Sequence, residues 1–291
     1  MSKPQYIFDI EIPQEVLTSE KHHQINFKAL EGKIIIGLIG YAKSGKDTIT
    51  KTFIENYGYQ RVAFADNIKK EMNQYLRELV CKDLNDKAKE EAANTLFERG
   101  ATSWKKWSPE QIDFFTEDLA LKKVLRPYII WYGEEMRNRN GQFYWINKAL
   151  SEDAKNIDKI ILSDVRRVAE LEIFKNSNEY KKRFTKSMIE AGITTNQMAD
   201  TNNYGTLLFE VSQFGLTDSD VLTVEAIQFA HEQWLFDDIF LVDPRIHEEG
   251  NHRKKATEHQ IKRVVKKFGI ETFNKTKHVQ TNIYQMPGVT E

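Results

Sequence analysis

Gly40-Tyr41-Ala42-Lys43-Ser44-Gly45-Lys46 fits the spacing G-x-x-x-x-G-K. A loop of this kind surrounds phosphate oxygens with backbone N–H groups. Its second glycine lets the backbone approach closely, and its lysine reaches the terminal phosphates. A helix starting at the loop adds the positive end of its dipole. The next position departs from the pattern. Ser or Thr usually follows the lysine and ligates Mg²⁺, whereas here Asp47 follows, then Thr48. Asp47 can bind Mg²⁺ directly or through water, and Thr48 can supply the hydroxyl one place later. The plainer alternative is a glycine turn that only caps a helix. The pattern specifies a triphosphate nucleotide but not a reaction, because switch proteins, motors and kinases share it.

A kinase also needs an acceptor site and cations at the transferring phosphate. Four segments offer candidates. In Phe64-Ala65-Asp66-Asn67-Ile68-Lys69, Asp66 can orient an acceptor or a metal and Lys69 can contact a phosphate; otherwise they are an N-cap and a surface lysine. Arg126 precedes an expected helix from near Pro127 past Met136, with Arg137 about three turns on. Trp131 and Trp145 can stack on a base, or lie in the core with both arginines solvated. In Ile161-Leu162-Ser163-Asp164-Val165-Arg166, a strand-end Asp164 can hold the Mg²⁺ hydration shell, and Arg166 can clamp a phosphate bidentately. The alternative for Asp164 is a cap on the next helix. Last, His252-Arg253-Lys254-Lys255 reads as a basic loop ahead of a capping box at Thr257-Glu258-His259-Gln260. It is either a lid that closes Arg253 over the phosphates or an exposed loop.

These residues need elements to hold them. Ile34 to Ile39 is a continuous apolar run, which suits a strand buried on both faces of a parallel sheet. Ile49, Phe53, Ile54 and Tyr57 then share a helical face that Gly58 ends. Further strands are expected at Arg61–Ala65, Lys159–Asp164 and Ile239–Val242, with a last one at Ile270–Phe273 and an edge strand at Tyr6–Ile12. Ser108-Pro109-Glu110-Gln111 marks a helix start, and Val221 to Trp234 has helical spacing. Residues 176–225 read as irregular, with a loop at Thr194–Gly205. Strands alternating with helices predict an α/β domain with a mostly parallel sheet.

Composition narrows the function classes. The chain has 291 residues with 42 Lys+Arg against 43 Asp+Glu and one cysteine. That balance gives no whole-chain attraction to nucleic acid or anionic membrane, so phosphate binding must come from a local cluster. Cys81 alone cannot form an intrachain disulfide, which suits a reducing compartment. No signal peptide is evident, and no apolar run approaches the about 20 residues that span a bilayer. A cytoplasmic protein is expected, the host cytoplasm if viral, with no membrane or direct nucleic-acid partner; a homodimer is left open. His247-Glu248-Glu249 with His252 lacks the spacing that puts two metal ligands on one helical face.

The motifs together resemble those of phage-type deoxynucleoside monophosphate kinases. Ser44-Gly45-Lys46-Asp47-Thr48 is similar to that family's phosphate loop, in which Asp commonly stands after the lysine. Phe64-Ala65-Asp66 with Lys69 resembles its acceptor-side motif. Arg126 through Arg137 resembles its segment of an arginine, a Gly-x-Glu turn and a second arginine, and Trp145 fits the aromatic that follows. Asp164-Val165-Arg166 with Glu170 resembles its strand end; Thr257-Glu258 and Asn274 match more weakly. The order is preserved over residues 33 to about 175, and more weakly over about 238 to 276. The resemblance implies a three-layer α/β/α sandwich of the P-loop NTPase type over residues 32–291. The implied activity is transfer of the γ-phosphoryl group of ATP to a (deoxy)nucleoside monophosphate with Mg²⁺. Lys46, Arg126, Arg137 and Arg166 would be catalytic. Glu134 stands where a small hydroxyl residue is expected, residues 1–31 are an extension, and about 176–237 reads as an insertion. Those departures leave open a kinase-derived binding or structural protein, or a dephospho-coenzyme A kinase-like enzyme.

Overall fold

Every residue of the run Ile34–Ile39 is buried, and the arrangement of strands explains why. The structure, a computed structural model, describes residues 10, 12–13, 22–99, 106–175, 181–183, 204–213, 220–242 and 250–270. Among them six strands form one sheet: β1 (Ile34–Ile39), β2 (Gln60–Val62), β3 (Lys159–Val165), β4 (Lys181–Arg183), β5 (Tyr204–Gln213) and β6 (Asp238–Val242). The order is β2-β3-β1-β5-β4, with β6 also on β5. All five pairings are parallel. β1 therefore has a strand on each side. β5 is long enough for two partners on its far edge: β4 runs beside Tyr204–Thr206 and β6 beside Phe209–Gln213.

The helices are α1 (Lys46–Tyr57), α2 (Phe64–Glu71), α3 (Arg77–Arg99), α4 (Leu119–Asn140), α5 (Tyr144–Lys148), α6 (Val221–Glu232) and α7 (Gly250–Lys267). No helix of the described residues is long and apolar enough to cross a membrane. The chain divides into two compact units, residues 1–24 with 64–148, and residues 25–63 with 149–291. The second unit holds the sheet with α1, α6 and α7. Its core joins Ile34, Ile36, Leu38, Phe53, Phe209, Phe240 and Phe268. Each such side chain taken out of water contributes about 1.5–3 kcal/mol. The first unit holds α2–α5 around Met72, Leu76, Leu125, Tyr132, Met136 and Trp145.

Several expectations need correction. Of the extension expected to end at residue 31, His22 and Gln24 fall in the helical unit. There the Asn140 carbonyl accepts the His22 N–H at 2.6 Å, and the Asn147 amide donates to the Gln24 carbonyl at 2.8 Å. Within the segment 176–237, read as an insertion, lies β5, which pairs with β1 from Ile34↔Gly205 to Ile39↔Glu210. Arg61–Ala65 is shorter as a strand, since α2 already begins at Phe64. Ser108-Pro109-Glu110-Gln111 opens only a 3₁₀ turn, Pro109–Gln111. Another 3₁₀ segment, Val168–Phe174, stands where a helix after β3 was expected.

Arg126 does not precede a helix. It lies inside α4, whose true start is Asp118; that carboxylate accepts the Ala120 and Leu121 N–H groups at 2.8 and 3.2 Å. Gly133-Glu134-Glu135 is likewise helical rather than a turn. Arg253 lies on α7, which starts at Gly250, so the expected basic loop is helix. Thr257 is then a buried residue of that helix and not its cap. The Arg253 side chain, most of Tyr6–Ile12, Ile270–Phe273 beyond Ile270, and Asn274 lie outside the described residues.

Candidate functional site

The loop Gly40–Gly45 leaves the carboxyl end of β1 and turns into α1. Two residues in it take left-handed backbone angles, Lys43 at φ 65° and Gly45 at φ 101°. Glycine does this freely; at a lysine the conformation is uncommon and has to be held by its surroundings. Left-handed residues alternating with right-handed ones turn successive N–H groups toward a common centre. Gly45 is also the N-cap of α1, and it has no side chain to cap the first turn. The amino end of α1 therefore presents its N–H groups to an anion.

Lys46 is buried, and its ammonium sits over the loop. Its Nζ donates to the carbonyls of Gly40 at 2.5 Å and Tyr41 at 2.7 Å, with Ser44 Oγ at 3.5 Å. Ser44 is buried; Ala42, Lys43, Asp47 and Thr48 are exposed. Gly40 has a steric reason to be glycine, since a Cβ there would lie 2.2 Å from the Val211 carbonyl oxygen. Val211 belongs to β5 and is held by its ladder, so the loop would have to move instead. Gly40→Ala is expected to cost about 1–3 kcal/mol in urea unfolding. A wild-type value would show that the close approach does not matter.

β3 carries the second part of the site. Gly37 pairs with Leu162 but Ile39 pairs with Val165, so Ser163 and Asp164 together oppose Leu38. This is a bulge, and bulges re-aim side chains at strand ends. Ser163 is fixed from β2, with Arg61 Nε donating to its Oγ at 2.9 Å. Asp164 is half-buried and lies one residue before the position paired with Ile39, at the level where the Gly40–Gly45 loop begins. Beyond it, Glu170 Oε2 accepts the backbone N–H of Arg166 at 2.7 Å and of Arg167 at 3.1 Å. The Arg166 guanidinium stands 3.7 Å from Asp220, just ahead of α6.

In the helical unit, Asp66 and Lys69 form an i,i+3 pair on α2 at 3.7 Å, and Lys69 lies 5.2 Å over the Phe115 ring. Arg137 pairs with Glu134 at 3.1 Å on α4, so the unexpected Glu134 has an electrostatic role. Arg126 is exposed on the same helix. Both tryptophans take the core position that the sequence left open beside stacking. Trp131 is 6% exposed and Trp145 1% exposed, both in the core of the unit. Trp145 packs edge-on to Tyr144 at 4.7 Å, and its Nε1 donates to the Gly133 carbonyl at 3.0 Å. A ring enclosed in that way offers no face to a base.

Sequence reasoning missed Asp220 and Glu71. Asp220 precedes an apolar helical stretch, so an N-cap was legible there, but its approach to Arg166 was not. Glu71 is a buried carboxylate at the end of α2. Among the described residues no three His, Cys, Asp or Glu side chains are grouped to hold a metal ion. Mg²⁺ on a nucleotide does not use such a cage: it keeps waters and takes one or two protein groups plus phosphate oxygens. Asp47, Thr48 and Asp164 have oxygen donors of the right kind for that mode. No protein-family model matches the chain, and no curated protein matches it significantly.

Proposed function

We propose that this chain is a nucleotide kinase of the P-loop α/β/α type, transferring the γ-phosphoryl group of ATP to a (deoxy)nucleoside monophosphate. One observation carries the reading: the Lys46 ammonium lies across the carbonyls of a loop with left-handed Lys43 and Gly45, at the uncapped start of α1. Sheet order supports it. After β1 the chain runs to β2 on one side of the β3–β1 pair, and after β3 to β4 on the other side. Adjacent parallel strands whose connections part in opposite directions open a crevice at their carboxyl ends, where α/β proteins bind ligands. The loop follows β1, and Asp164 and Arg166 end β3.

In this reading the loop and Lys46 hold the β- and γ-phosphates. Asp47, Thr48 and Asp164 would hold Mg²⁺, which when bound neutralises charge on the phosphates. Arg166 adds a cation to the same edge. Lys69, Arg126 and Arg137 are assigned to the acceptor phosphate, Asp66 to orienting the acceptor, and Arg253 to the nucleotide. A monophosphate oxygen is already nucleophilic, so positioning and fixed charge suffice for catalysis. The test is purified protein with ATP, Mg²⁺ and a panel of deoxynucleoside and ribonucleoside monophosphates and dephospho-coenzyme A. ADP and a phosphorylated product are expected with at least one nucleoside monophosphate. Turnover of dephospho-coenzyme A alone would reassign the acceptor, and tight ATP binding with no turnover would make the chain a nucleotide-binding protein instead.

A further inference from the structure

We infer that Asp220 is a positioning residue that aims Arg166 at nucleotide phosphate, an inference that rests on the phosphate-site reading above. Asp220 is the N-cap of α6, and its backbone carbonyl accepts the Val224 N–H at 3.2 Å. An aspartate at that position ordinarily turns its carboxylate onto the first-turn N–H groups. Asp220 makes no such side-chain bond. Its Oδ2 accepts the hydroxyl of buried Thr223 at 3.0 Å and faces Arg166 Nη1 at 3.7 Å. The carboxylate is thus drawn away from capping and held where it attracts the guanidinium.

Arg166 is therefore governed from two sides. Buried Glu170 fixes its backbone through the N–H groups of Arg166 and Arg167. Asp220 sets the direction of its side chain. At 3.7 Å the pair is not a closed bidentate bridge, and the Arg166 side chain is 45% exposed. Guanidinium donors remain for a phosphate, which binds such a planar fork well. An ion pair this exposed adds little to stability.

The test is a double-mutant cycle on turnover and ATP affinity. Asp220→Asn keeps an N-cap residue and an oxygen for Thr223 but removes the charge. Its kcat is expected to fall about tenfold, with KM for ATP unchanged or lower, because a negative charge has left the phosphate edge. Its thermal midpoint should stay at the wild-type value. In an Arg166→Ala background, which is itself impaired, Asp220→Asn should change nothing further. Multiplicative losses in the two backgrounds, or wild-type kcat in Asp220→Asn, overturn the inference. If the wild-type protein turns over no acceptor, the kinase reading fails by itself and the cycle is read on ATP affinity. Arg166→Ala should then weaken binding, and Asp220→Asn should alter it only when Arg166 is present. An equal change in both backgrounds overturns the inference there too.

Discussion

Lys46→Ala is expected to lower phosphoryl transfer about 10³-fold or more while leaving a folded protein. The magnitude follows from what the ammonium would do. In phosphoryl transfer the protein contributes mostly positioned charge, and removal of one well-placed cation or donor typically costs 10²–10⁵-fold. Lys46 already spans the loop through the Gly40 and Tyr41 carbonyls. A nucleotide phosphate in the loop would draw that ammonium to itself. The folded state should lose little: two carbonyls at the loop give up a donor, but a buried ammonium no longer has to be kept from water. Such opposing effects leave a net change of about 1 kcal/mol. Lys46→Arg should not rescue, because a planar guanidinium cannot replace a point charge held at 2.5 and 2.7 Å from two carbonyls. The measurements are steady-state ADP production, ATP calorimetry and a thermal melt on the same preparations. If Lys46 were only a pin for a glycine turn, the melt would fall and turnover would persist. Near wild-type turnover in Lys46→Ala removes the basis of the kinase assignment.

Where the sequence was readable, local physics was enough. β1 is legible because a strand buried on both faces must be apolar throughout, and the loop because Gly40 and Gly45 have backbone reasons to be there. β3 and its Asp164 were legible for the same reason. β5 was not. It lies between β1 and the outer strands, so its residues show no polar–apolar alternation, and the Thr- and Asn-rich stretch before it reads as loop. The start of α4 was misplaced because Pro127 reads as a first-turn residue. An interior proline costs a helix about 3 kcal/mol, and here burial of Leu121, Leu125, Tyr128, Trp131, Tyr132 and Met136 offsets it. The bulge at Ser163–Asp164 and the Arg166–Asp220 approach arise from tertiary pairing and leave no trace in spacing.

Glu71→Ala is expected to destabilise the helical unit by about 3 kcal/mol or more in urea unfolding. Glu71 is 5% exposed and receives three donors. Tyr132 Oη donates to its Oε2 at 2.6 Å, Tyr144 Oη to its Oε1 at 3.1 Å, and the Lys148 ammonium to Oε1. Removal takes this acceptor from two buried hydroxyls and one cation. The Lys148 side chain is 24% exposed and can reach water, which keeps the loss toward the lower end of the 3–5 kcal/mol typical of broken buried pairs. Glu71→Gln keeps an acceptor and the volume, so about 1–2 kcal/mol is expected. Adding Lys148→Met to Glu71→Gln should then cost less than the separate losses combined, because the two side chains interact directly. Burial first, then the charge and hydrogen bond of Glu71, raise the Tyr132 ionisation above that of free tyrosine. The unfolded chain therefore gives up that proton first, and stability falls as pH rises past about 10. The same carboxylate ties α2, which carries Asp66 and Lys69, to α4, which carries Arg126 and Arg137, and to α5. Glu71→Gln should therefore also raise the acceptor KM while the KM for ATP stays put. An additive cycle with both KM values unmoved would reduce the cluster to packing with no part in acceptor binding.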